Sequence, residues 1–251
     1  MNDISDDYIL ITGASSGIGR NLAVALSKSH KLILHGRDQN NLDTTLNQCE
    51  KNNHILWNFD LKNKEELSSS LKKVIVDNDI SVSKFIHSAG MTTILPARNL
   101  SHQIASDIMA VNCLSALEII SVLMKKNFNN KKLTNIIFIS SIWSKFGAKG
   151  YTLYCASKGA LDSAMRALAL ELAPLTRVNS ILFGAIETPM AKLSFSDEVI
   201  KKNFEDTYPL GTGKVEDATE IISFLLSKKS KWITGQEITV DGGKTINMSP
   251  K

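Results

Sequence analysis

Short runs of apolar residues alternate with longer amphipathic stretches along most of the 251-residue chain. The runs are continuously apolar, as in strands that are buried on both faces of a parallel sheet. The stretches between them have the length of helices and lie at about 17–29, 40–52, 64–77, 101–126, 152–173 and 215–227. The predicted strands are Tyr8–Thr12, Lys31–Gly36, Ile55–Phe59, Lys84–His87, Asn135–Ser140, Val178–Phe183 and Glu237–Val240.

This order of elements predicts an α/β fold: one doubly wound parallel sheet with helices on both faces, formed by residues 1–251 as a single domain. Residues 184–214 break the rhythm because they contain no apolar strand. Since ligands bind beyond the carboxyl ends of parallel strands, we expect this segment to be a substrate-binding loop. Its apolar side chains favour an apolar ligand, and its charged ones suit a polar ligand if they point inward. The apolar set is Met190, Leu193, Phe195 and Phe204, and the charged set is Lys201, Lys202, Glu205 and Asp206.

Composition and charge narrow the class of protein. The chain is 43% hydrophobic and 22% charged, as in ordinary globular domains. A net charge of +4 with scattered lysine pairs is too weak to predict a nucleic-acid partner. The acidic start MNDISDD is unlike a signal peptide, and no uninterrupted apolar run reaches the roughly 18 residues of a membrane span. Three cysteines without paired spacing predict neither disulfides nor a metal site. Together with the start of the chain and the lack of a membrane span, they lead us to expect a cytoplasmic protein with no membrane partner.

The stretch ITGASSGIGR follows the first predicted strand and opens the first predicted helix. Gly13 permits a tight turn there, Gly17 lets backbone N–H groups approach a diphosphate, and Gly19 lets the helix pack against the strand. The spacing G-x-x-x-G-x-G differs from the more common G-x-G-x-x-G, so a tight turn without a ligand is the alternative.

The end of the second predicted strand, KLILHGRD, bears on the choice of cofactor. An enzyme that uses NAD(H) places an acidic residue here to bind the ribose 2′-hydroxyl, but this chain has Gly36 followed by Arg37. An arginine suits a 2′-phosphate, so the sequence favours NADP(H). Asp38 keeps NAD(H) open if the register differs by two residues.

The segment YCASK supplies candidate proton-transfer chemistry. Tyr154 and Lys158 are four residues apart and share one face of a helix, where a nearby ammonium is expected to lower the pKa of the phenol. Ser141 lies just past the preceding predicted strand, and its hydroxyl is suited to bind a carbonyl oxygen beside the tyrosine. Asn112 is a polar residue inside an otherwise apolar helix, either functional or a satisfied structural residue.

These motifs, together with VNSI and ITGQEITVDGG, resemble the short-chain dehydrogenase/reductase family over nearly the whole chain. The resemblance implies a Rossmann domain with a seven-stranded parallel sheet and hydride transfer between nicotinamide and a carbonyl or alcohol. It implies that Tyr154 is the general acid or base and that Lys158 holds the nicotinamide ribose. Ser141 would orient the substrate oxygen, and Asn112 would hold a water that relays protons.

The resemblance also implies the contacts of the cofactor, which Asn112, Tyr154 and Lys158 share with the residues of the glycine-rich turn and of four later loops. These residues are Gly13, Ser15, Ser16, Gly17, Ile18, Gly19, Arg37, Asp60, Leu61, Ala89, Gly90, Gly184, Ile186 and Thr188. Two positions depart from the family pattern: Ser88 stands where an asparagine is common, and Phe183 where a proline is common. The aromatic residues Trp143, Phe146 and Tyr151 either line the substrate pocket or belong to the core or a subunit contact, whereas His87 and Cys155 are expected to be structural.

Three functions are compatible with these residues. The first is an NADP(H)-dependent reductase of a 3-oxoacyl thioester, as in the acyl-carrier-protein reductases that the chain resembles. The second is a reductase of a sugar or another polar or cyclic ketone. The third is a nucleotide-sensing protein on the same fold without turnover, which an intact Ser–Tyr–Lys set disfavours.

The expected partner is a small-molecule carbonyl substrate, either free or presented on an acyl carrier. Lys131 and Lys132 offer a basic patch for such a carrier, although Pro174 and Leu175 stand where an arginine would help. The resemblance suggests that the alanine-rich helix at 152–173 joins subunits in a homotetramer or homodimer.

Overall fold

Seven strands form one sheet in the computed structural model, which describes residues 7–50, 53–191, 202 and 206–247. The strands lie in the order β3-β2-β1-β4-β5-β6-β7, and every pairing is parallel. The predicted α/β fold with a seven-stranded parallel sheet is therefore confirmed. The strands are β1 (Tyr8–Thr12), β2 (Lys31–Gly36), β3 (Ile55–Asn58), β4 (Val82–His87), β5 (Asn135–Ser141), β6 (Arg177–Phe183) and β7 (Glu237–Val240).

Helices connect the strands and cover both faces of the sheet. They are α1 (Gly17–Ser27), α2 (Gln39–Gln48), α3 (Leu67–Asp77), α4 (His102–Met109), α5 (Ser115–Leu123), α6 (Lys126–Asn129), α7 (Thr152–Glu171) and α8 (Val215–Leu226). The helix predicted at about 101–126 corresponds to the continuous helical stretch His102–Leu123, in which a π-helical turn at Ala110–Leu114 lies between α4 and α5.

Two hydrophobic clusters, one on each face of the sheet, explain why the strands are apolar throughout. Along β1, Leu10 belongs to one cluster and its neighbours Ile9 and Ile11 to the other. Successive side chains of a strand point to opposite faces, so a strand between two helical layers has no solvent-facing position.

The helical stretch His102–Leu123 has a mean hydropathy of 1.6 over its most apolar window, which by length and composition is enough to cross a membrane. Half of that window is buried inside the fold, and Ile108, Ala116 and Ile119 are fully buried. Core helices of soluble proteins have the same length and composition, so this criterion does not distinguish the two.

The sheet has its switch point between β1 and β4, since the chain moves outward from β1 to β2 and β3 and then crosses to β4. A crevice forms at the carboxyl ends of the strands where the connections diverge in this way. The loops after β1, β4, β5 and β6 meet around that crevice.

Candidate active site

A cavity of about 520 Å³ lies at the carboxyl ends of the strands and holds most of the residues predicted from the sequence. Of the predicted catalytic and cofactor-binding residues, all but Gly19 and Asn112 line the cavity. Gly19 packs against the backbone of Gly13, and Asn112 accepts a hydrogen bond from the backbone of Met91, which does line it. We call the part formed by Gly13, Gly17, Arg37 and Asp60 the nucleotide end. The part formed by Ser141, Tyr154 and Lys158 is the chemical end.

The glycine-rich turn at the nucleotide end leaves no room for side chains. Gly13 has a φ of +71°, and a Cβ there would lie 2.7 Å from the backbone nitrogen of Ala89. A Cβ on Gly19 would lie 2.2 Å from the carbonyl oxygen of Gly13. Ser16 precedes α1 without capping it through its side chain, and the first turn of α1 contains no acidic residue. The positive pole of this helix therefore faces the turn without a competing anion from its first residues.

Arg20 and Thr45 brace this turn, and the sequence motifs did not identify either residue. Arg20 donates hydrogen bonds to the Ser15 carbonyl and, through Nε at 3.0 Å, to the Thr45 hydroxyl. Thr45 in turn donates to the Ala14 carbonyl at 3.0 Å. The turn is thus tied to α2 as well as to α1.

The residues after β2 have distinct roles in the structure. A Cβ on Gly36 would lie 2.9 Å from the Cβ of Ser15, so this position has no room for an acidic side chain. Asp38 caps α2, with its Oδ1 accepting from the Asn41 backbone at 2.8 Å. Arg37 is exposed and makes no ion pair within the described part of the chain. Arg37 thus presents to the cavity a positive charge that no ion pair in the described structure engages.

His87, at the end of β4, links three parts of the site. Its Nδ1 lies 2.9 Å from the Thr12 hydroxyl, which accepts from the Ala89 backbone at 3.3 Å. Its Nε2 lies 3.2 Å from the Val111 carbonyl, and since a carbonyl only accepts, Nε2 carries the hydrogen. Burial lowers the pKa of His87 to about 3, so the ring is neutral. The expected structural role fits these contacts, which tie the end of β1 to the π-helical turn.

Asn112 lies in the π-helical turn and uses its side chain to join two other elements. Its Nδ2 donates to the Met91 carbonyl and to the Ser157 hydroxyl, both at 2.9 Å, and its Oδ1 accepts from the Met91 backbone at 2.7 Å. Such turns often occur at functional sites, and here the turn carries Asn112 between the loop after β4 and α7. Because both amide hydrogens are engaged, the side chain has no free donor for the predicted water.

The chemical end brings Ser141, Tyr154 and Lys158 to one wall of the cavity. Ser141 accepts from the Trp143 backbone at 3.2 Å, which leaves its hydroxyl hydrogen available to donate. Lys158 is buried, and its Nζ donates to the Ile139 carbonyl at 2.8 Å. That Nζ lies 5.7 Å from the centre of the Tyr154 ring.

The prediction that Lys158 lowers the pKa of Tyr154 is wrong in this structure. Burial raises the pKa of Tyr154 to about 12, although a hydrogen bond with Ser141 acts to lower it. Burial also lowers the pKa of Lys158 to about 8. The lysine directs its ammonium to a backbone carbonyl, so burial is the stronger influence on the phenol.

Beyond Tyr154, the cavity is lined by mostly apolar side chains. Trp143 and Tyr151 line the cavity, which was one of the two alternatives predicted for them. The centres of the Tyr151 and Tyr154 rings lie 6.3 Å apart, in an edge-to-face arrangement. Phe146 does not line the cavity and is exposed. Met91 and Thr92 complete this wall, and the Thr92 hydroxyl is buried without a hydrogen-bond partner in the described structure.

The segment predicted to bind substrate begins and ends in ordered contacts. Ile186 forms a parallel bridge with Gly213, and the Tyr208 hydroxyl accepts from the Ala185 backbone at 3.0 Å. Gly184 fits between the Tyr208 ring and Asp241, where a Cβ would lie 2.9 Å from both. The loss of the usual proline at Phe183 thus leaves the start of the segment held in place.

The side chains expected to set the polarity of this segment are only partly described. Met190 lines the cavity, whereas Lys202 and Asp206 are exposed and do not. The others lie outside the described residues, namely Leu193, Phe195, Lys201, Phe204 and Glu205.

The basic patch proposed for a carrier is not at the entrance of the cavity. Lys131 and Lys132 precede Asn135, the first residue of β5, whereas the cavity lies beyond its last residue, Ser141. Lys132 instead lies 3.9 Å from Asp7, just before β1. That prediction is wrong because parallel strands separate the two ends of the sheet.

Comparison with known proteins identifies relatives over almost the whole chain. A family model described as Enoyl-(Acyl carrier protein) reductase matches residues 13–245. The chain is 34% identical over 248 residues to 3-oxoacyl-[acyl-carrier-protein] reductase FabG of Rickettsia typhi, covering 97% of this chain and 98% of that protein. It is 31% identical over 251 residues to L-xylulose reductase of Caenorhabditis elegans, covering 98% of each. Among solved structures, 4-hydroxyisoleucine dehydrogenase complexed with NADH superposes with a TM-score of 0.88 at 27% identity, covering 96% of this chain and 99% of that one.

Proposed function

The chain belongs to the short-chain dehydrogenase/reductase family, and on this premise we propose that it is an NADP(H)-dependent reductase of a small-molecule carbonyl, with Tyr154 as the general acid. Like its relatives, it is an oxidoreductase that uses a nicotinamide cofactor. The observation that carries the proposal is the meeting of Ser141, Tyr154 and Lys158 at one end of a cavity whose other end is the glycine-rich turn.

The residues at the nucleotide end fit a dinucleotide. Gly13 and Gly36 keep the floor free of side chains, and the first turn of α1 offers unopposed N–H groups to a diphosphate. Gly90 lies close to both Asn112 and Lys158: a Cβ on it would be 3.6 Å from the Asn112 Oδ1 and 3.7 Å from the Lys158 Nζ. A cofactor bound along this path would extend from Arg37 to Lys158.

The preference for the 2′-phosphate form rests on the two charged residues after β2. One carboxylate oxygen of Asp38 is engaged in capping α2, where it accepts from the Asn41 backbone. Arg37 is exposed at the cavity without an ion pair in the described structure, and its guanidinium matches a phosphate. Both observations favour NADP(H) over NAD(H).

The chemistry assigned to the chain's own residues is proton delivery and charge stabilisation. When bound, the nicotinamide supplies the hydride. Negative charge then grows on the substrate oxygen, where Ser141 donates a hydrogen bond and Tyr154 donates its proton. With its pKa raised to about 12, the phenol is protonated at neutral pH, as an acid for reduction must be.

For the substrate, we propose a 3-oxoacyl thioester first. The name of the Rickettsia typhi relative, 3-oxoacyl-[acyl-carrier-protein] reductase FabG, gives a substrate of this class. In this chain, Met91, Trp143 and Met190 offer apolar surface in the cavity that Tyr154 also lines. A sugar or other polar ketone is the second candidate. It is favoured by the L-xylulose reductase of Caenorhabditis elegans and by the buried Thr92 hydroxyl that lacks a partner in the described structure.

A panel of substrates tests these alternatives directly. Oxidation of NADPH and of NADH is followed at 340 nm with acetoacetyl thioesters, pentuloses and cyclic ketones. We expect turnover with NADPH and an acetoacetyl thioester, and preferential turnover of a pentulose would select the second candidate. Binding of NADPH without turnover of any carbonyl would contradict the proposed reaction.

We also propose that the protein is cytoplasmic, forms a homodimer or homotetramer, and has neither nucleic acid nor membrane as a partner. Leu114 in the π-helical turn and Leu170 on α7 are large apolar side chains that face outward. Exposed apolar side chains mark a candidate subunit contact where they form a contiguous patch. Light scattering coupled to gel filtration measures the subunit number, and a monomer would contradict the assembly.

A further inference from the structure

Asp162 is a buried acidic residue behind the chemical end, and the roles proposed above do not use it. It lies on α7 one turn beyond Lys158 and two turns beyond Tyr154, and it is only 3% exposed. Its Oδ2 accepts from the Ser140 hydroxyl at 2.9 Å. A carboxylate this deeply buried is unfavourable unless an opposite charge or several donors stabilise it.

The hydrogen bonds around Asp162 satisfy it only in part. Its Oδ1 is buried and has no hydrogen-bond partner in the described structure. The hydroxyls of Ser144 and Ser180 are close enough to act against the rise in pKa that burial causes, yet neither completes a hydrogen bond. The local donors alone therefore leave half of the carboxylate unpaired.

Lys158 presents the complementary situation. Its ammonium is buried, at 4% residue exposure, and donates a hydrogen bond to the Ile139 carbonyl. Ile139 and Ser140 are consecutive residues of β5, and one holds the lysine while the other holds the aspartate. On α7 the two side chains are spaced i and i+4, which puts their Cβ atoms about 5–6 Å apart. Strand and helix therefore hold the two side chains as neighbours, without a direct ion pair between them in the described structure.

We propose that Asp162 is the buried counter-charge of Lys158 and acts as a positioning residue that keeps the catalytic ammonium protonated. The proposal rests on the proposed function only where it concerns catalysis, because the pairing of charges itself is a property of the folded chain.

Other charged groups near the pair do not replace Asp162. Around Lys158 lie Cys113 from the π-helical turn, whose influence raises the pKa of the lysine less than that of Asp162, and His87 from β4, which is neutral. Tyr154 on α7 is protonated at neutral pH. Glu237 on β7 faces Asp162, but its carboxylate is already paired with Arg166 and, at 2.8 Å, with Lys145.

The sign of the effect follows from these contacts. Burial lowers the pKa of Lys158 to about 8, and the carboxylate of Asp162 is the main influence that raises it. Asp162→Asn removes the negative charge and keeps the shape, so the ammonium should lose its proton at a lower pH. An opposite charge within about 4–6 Å changes a pKa by about 1–3 pH units, and the Cβ spacing of residues at i and i+4 lies in this range.

The test measures the titration of Lys158 without reference to activity. Protein labelled with ¹³C at the lysine Cε is titrated by NMR, and the Lys158 signal is assigned from its loss in Lys158→Arg. We expect the Asp162→Asn midpoint to lie lower than that of the wild type by about one pH unit or more. The control Ser180→Ala should leave it unchanged, because it alters the same pocket without altering charge. An unchanged midpoint in Asp162→Asn would overturn the proposal.

A second measurement decides the matter if Asp162→Asn does not fold. In wild-type protein labelled with ¹³C at the aspartate Cγ, Asp162 should be ionised throughout the range in which Lys158 titrates, and a protonated Asp162 at pH 7 would refute the counter-charge. With an active substrate, the alkaline limb of the rate profile should move to lower pH in Asp162→Asn. If no carbonyl is reduced, the proposed function fails while the NMR titration still decides this inference.

Discussion

At the nucleotide end of the cavity, glycines without side chains determine the shape of the surface. At the chemical end, by contrast, buried polar side chains with shifted pKa values determine its chemistry. Gly13 and Gly19 are in place because a single Cβ would collide with backbone. Tyr154 and Lys158 are in place because their polar groups find partners in a buried site that shifts the pKa of each. Steric changes should therefore disturb binding at one end, and changes of proton chemistry should disturb turnover at the other.

Tyr154→Phe should give the largest effect and tests the chemical end alone. It removes the proposed proton donor but keeps the ring, so kcat should fall by about 10²–10⁴-fold with little change in NADPH affinity. Steady-state rates and NADPH fluorescence titration measure the two quantities. An active variant, or one that no longer binds NADPH, would remove the distinction between the ends.

Gly13→Ala tests the nucleotide end in the same way. A φ of +71° and a contact of 2.7 Å with the Ala89 backbone predict a loss of about 1–3 kcal/mol in unfolding free energy and a clear loss of NADPH affinity. Urea denaturation and fluorescence titration provide the measurements. Gly147→Ala is the matched control, because no atom lies within 4 Å of its Cβ. Equal effects at both positions would argue against a steric origin.

Arg37→Ala sharpens the comparison within the nucleotide end. Hydrogen bonds to a charged group are worth about 1.5–3 kcal/mol, so NADPH should bind about 10–100-fold more weakly while NADH is nearly unaffected. Isothermal titration with both cofactors gives the ratio. Equal losses for the two would mean that Arg37 does not contact the 2′-phosphate.

The link that His87 makes between the end of β1 and the π-helical turn should respond to acid. Its pKa is about 3 in the folded protein and near 6.5 in the unfolded chain, so as pH falls below about 6.5 the unfolded chain binds the extra proton and stability decreases. The slope is about 1.4 kcal/mol per pH unit for this residue. In urea denaturation between pH 7 and pH 5, His87→Gln should lose less stability than the wild type. Parallel losses would show that His87 titrates normally in the fold.

Asp38→Ala should give the smallest effect. Loss of the cap on α2 typically reduces stability by about 0.5–2 kcal/mol, and the ratio of NADPH to NADH affinity should stay unchanged. Thermal denaturation and titration with both cofactors check this. A selective loss of NADH binding would instead assign Asp38 to the ribose.

The fold was predictable from the sequence because it depends on local patterns, whereas most of the site residues were implied by the family resemblance. Apolar runs placed every strand within two residues, and the glycine spacing and the Tyr154–Lys158 pair identified opposite ends of one cavity. The bracing contacts were not predictable in this way. His87 and Thr12 are 75 residues apart, and Asn112 and Ser157 are 45 apart, so no periodicity connects them.

The features that the sequence did not predict also have physical reasons. The π-helical turn has the composition of an ordinary helix, so hydrophobic periodicity does not distinguish it, and the tertiary contacts of Asn112 and Val111 join it to distant parts of the chain. The pKa of Tyr154 depends on burial and on where Lys158 directs its ammonium, and spacing along a helix gives neither. Patterns thus identify which residues meet, while their surroundings decide how they titrate.

The bridge between Ile186 and Gly213 has a consequence for engineering this protein. This bridge and the hydrogen bond of the Tyr208 hydroxyl join the beginning and the end of the segment after β6. Any stretch of chain inserted between them would therefore start and finish at fixed positions. Transplanting the corresponding stretch of a relative with another specificity would then leave the hydride-transfer apparatus undisturbed. The fold in this way separates the evolution of what is recognised from the evolution of what is done to it.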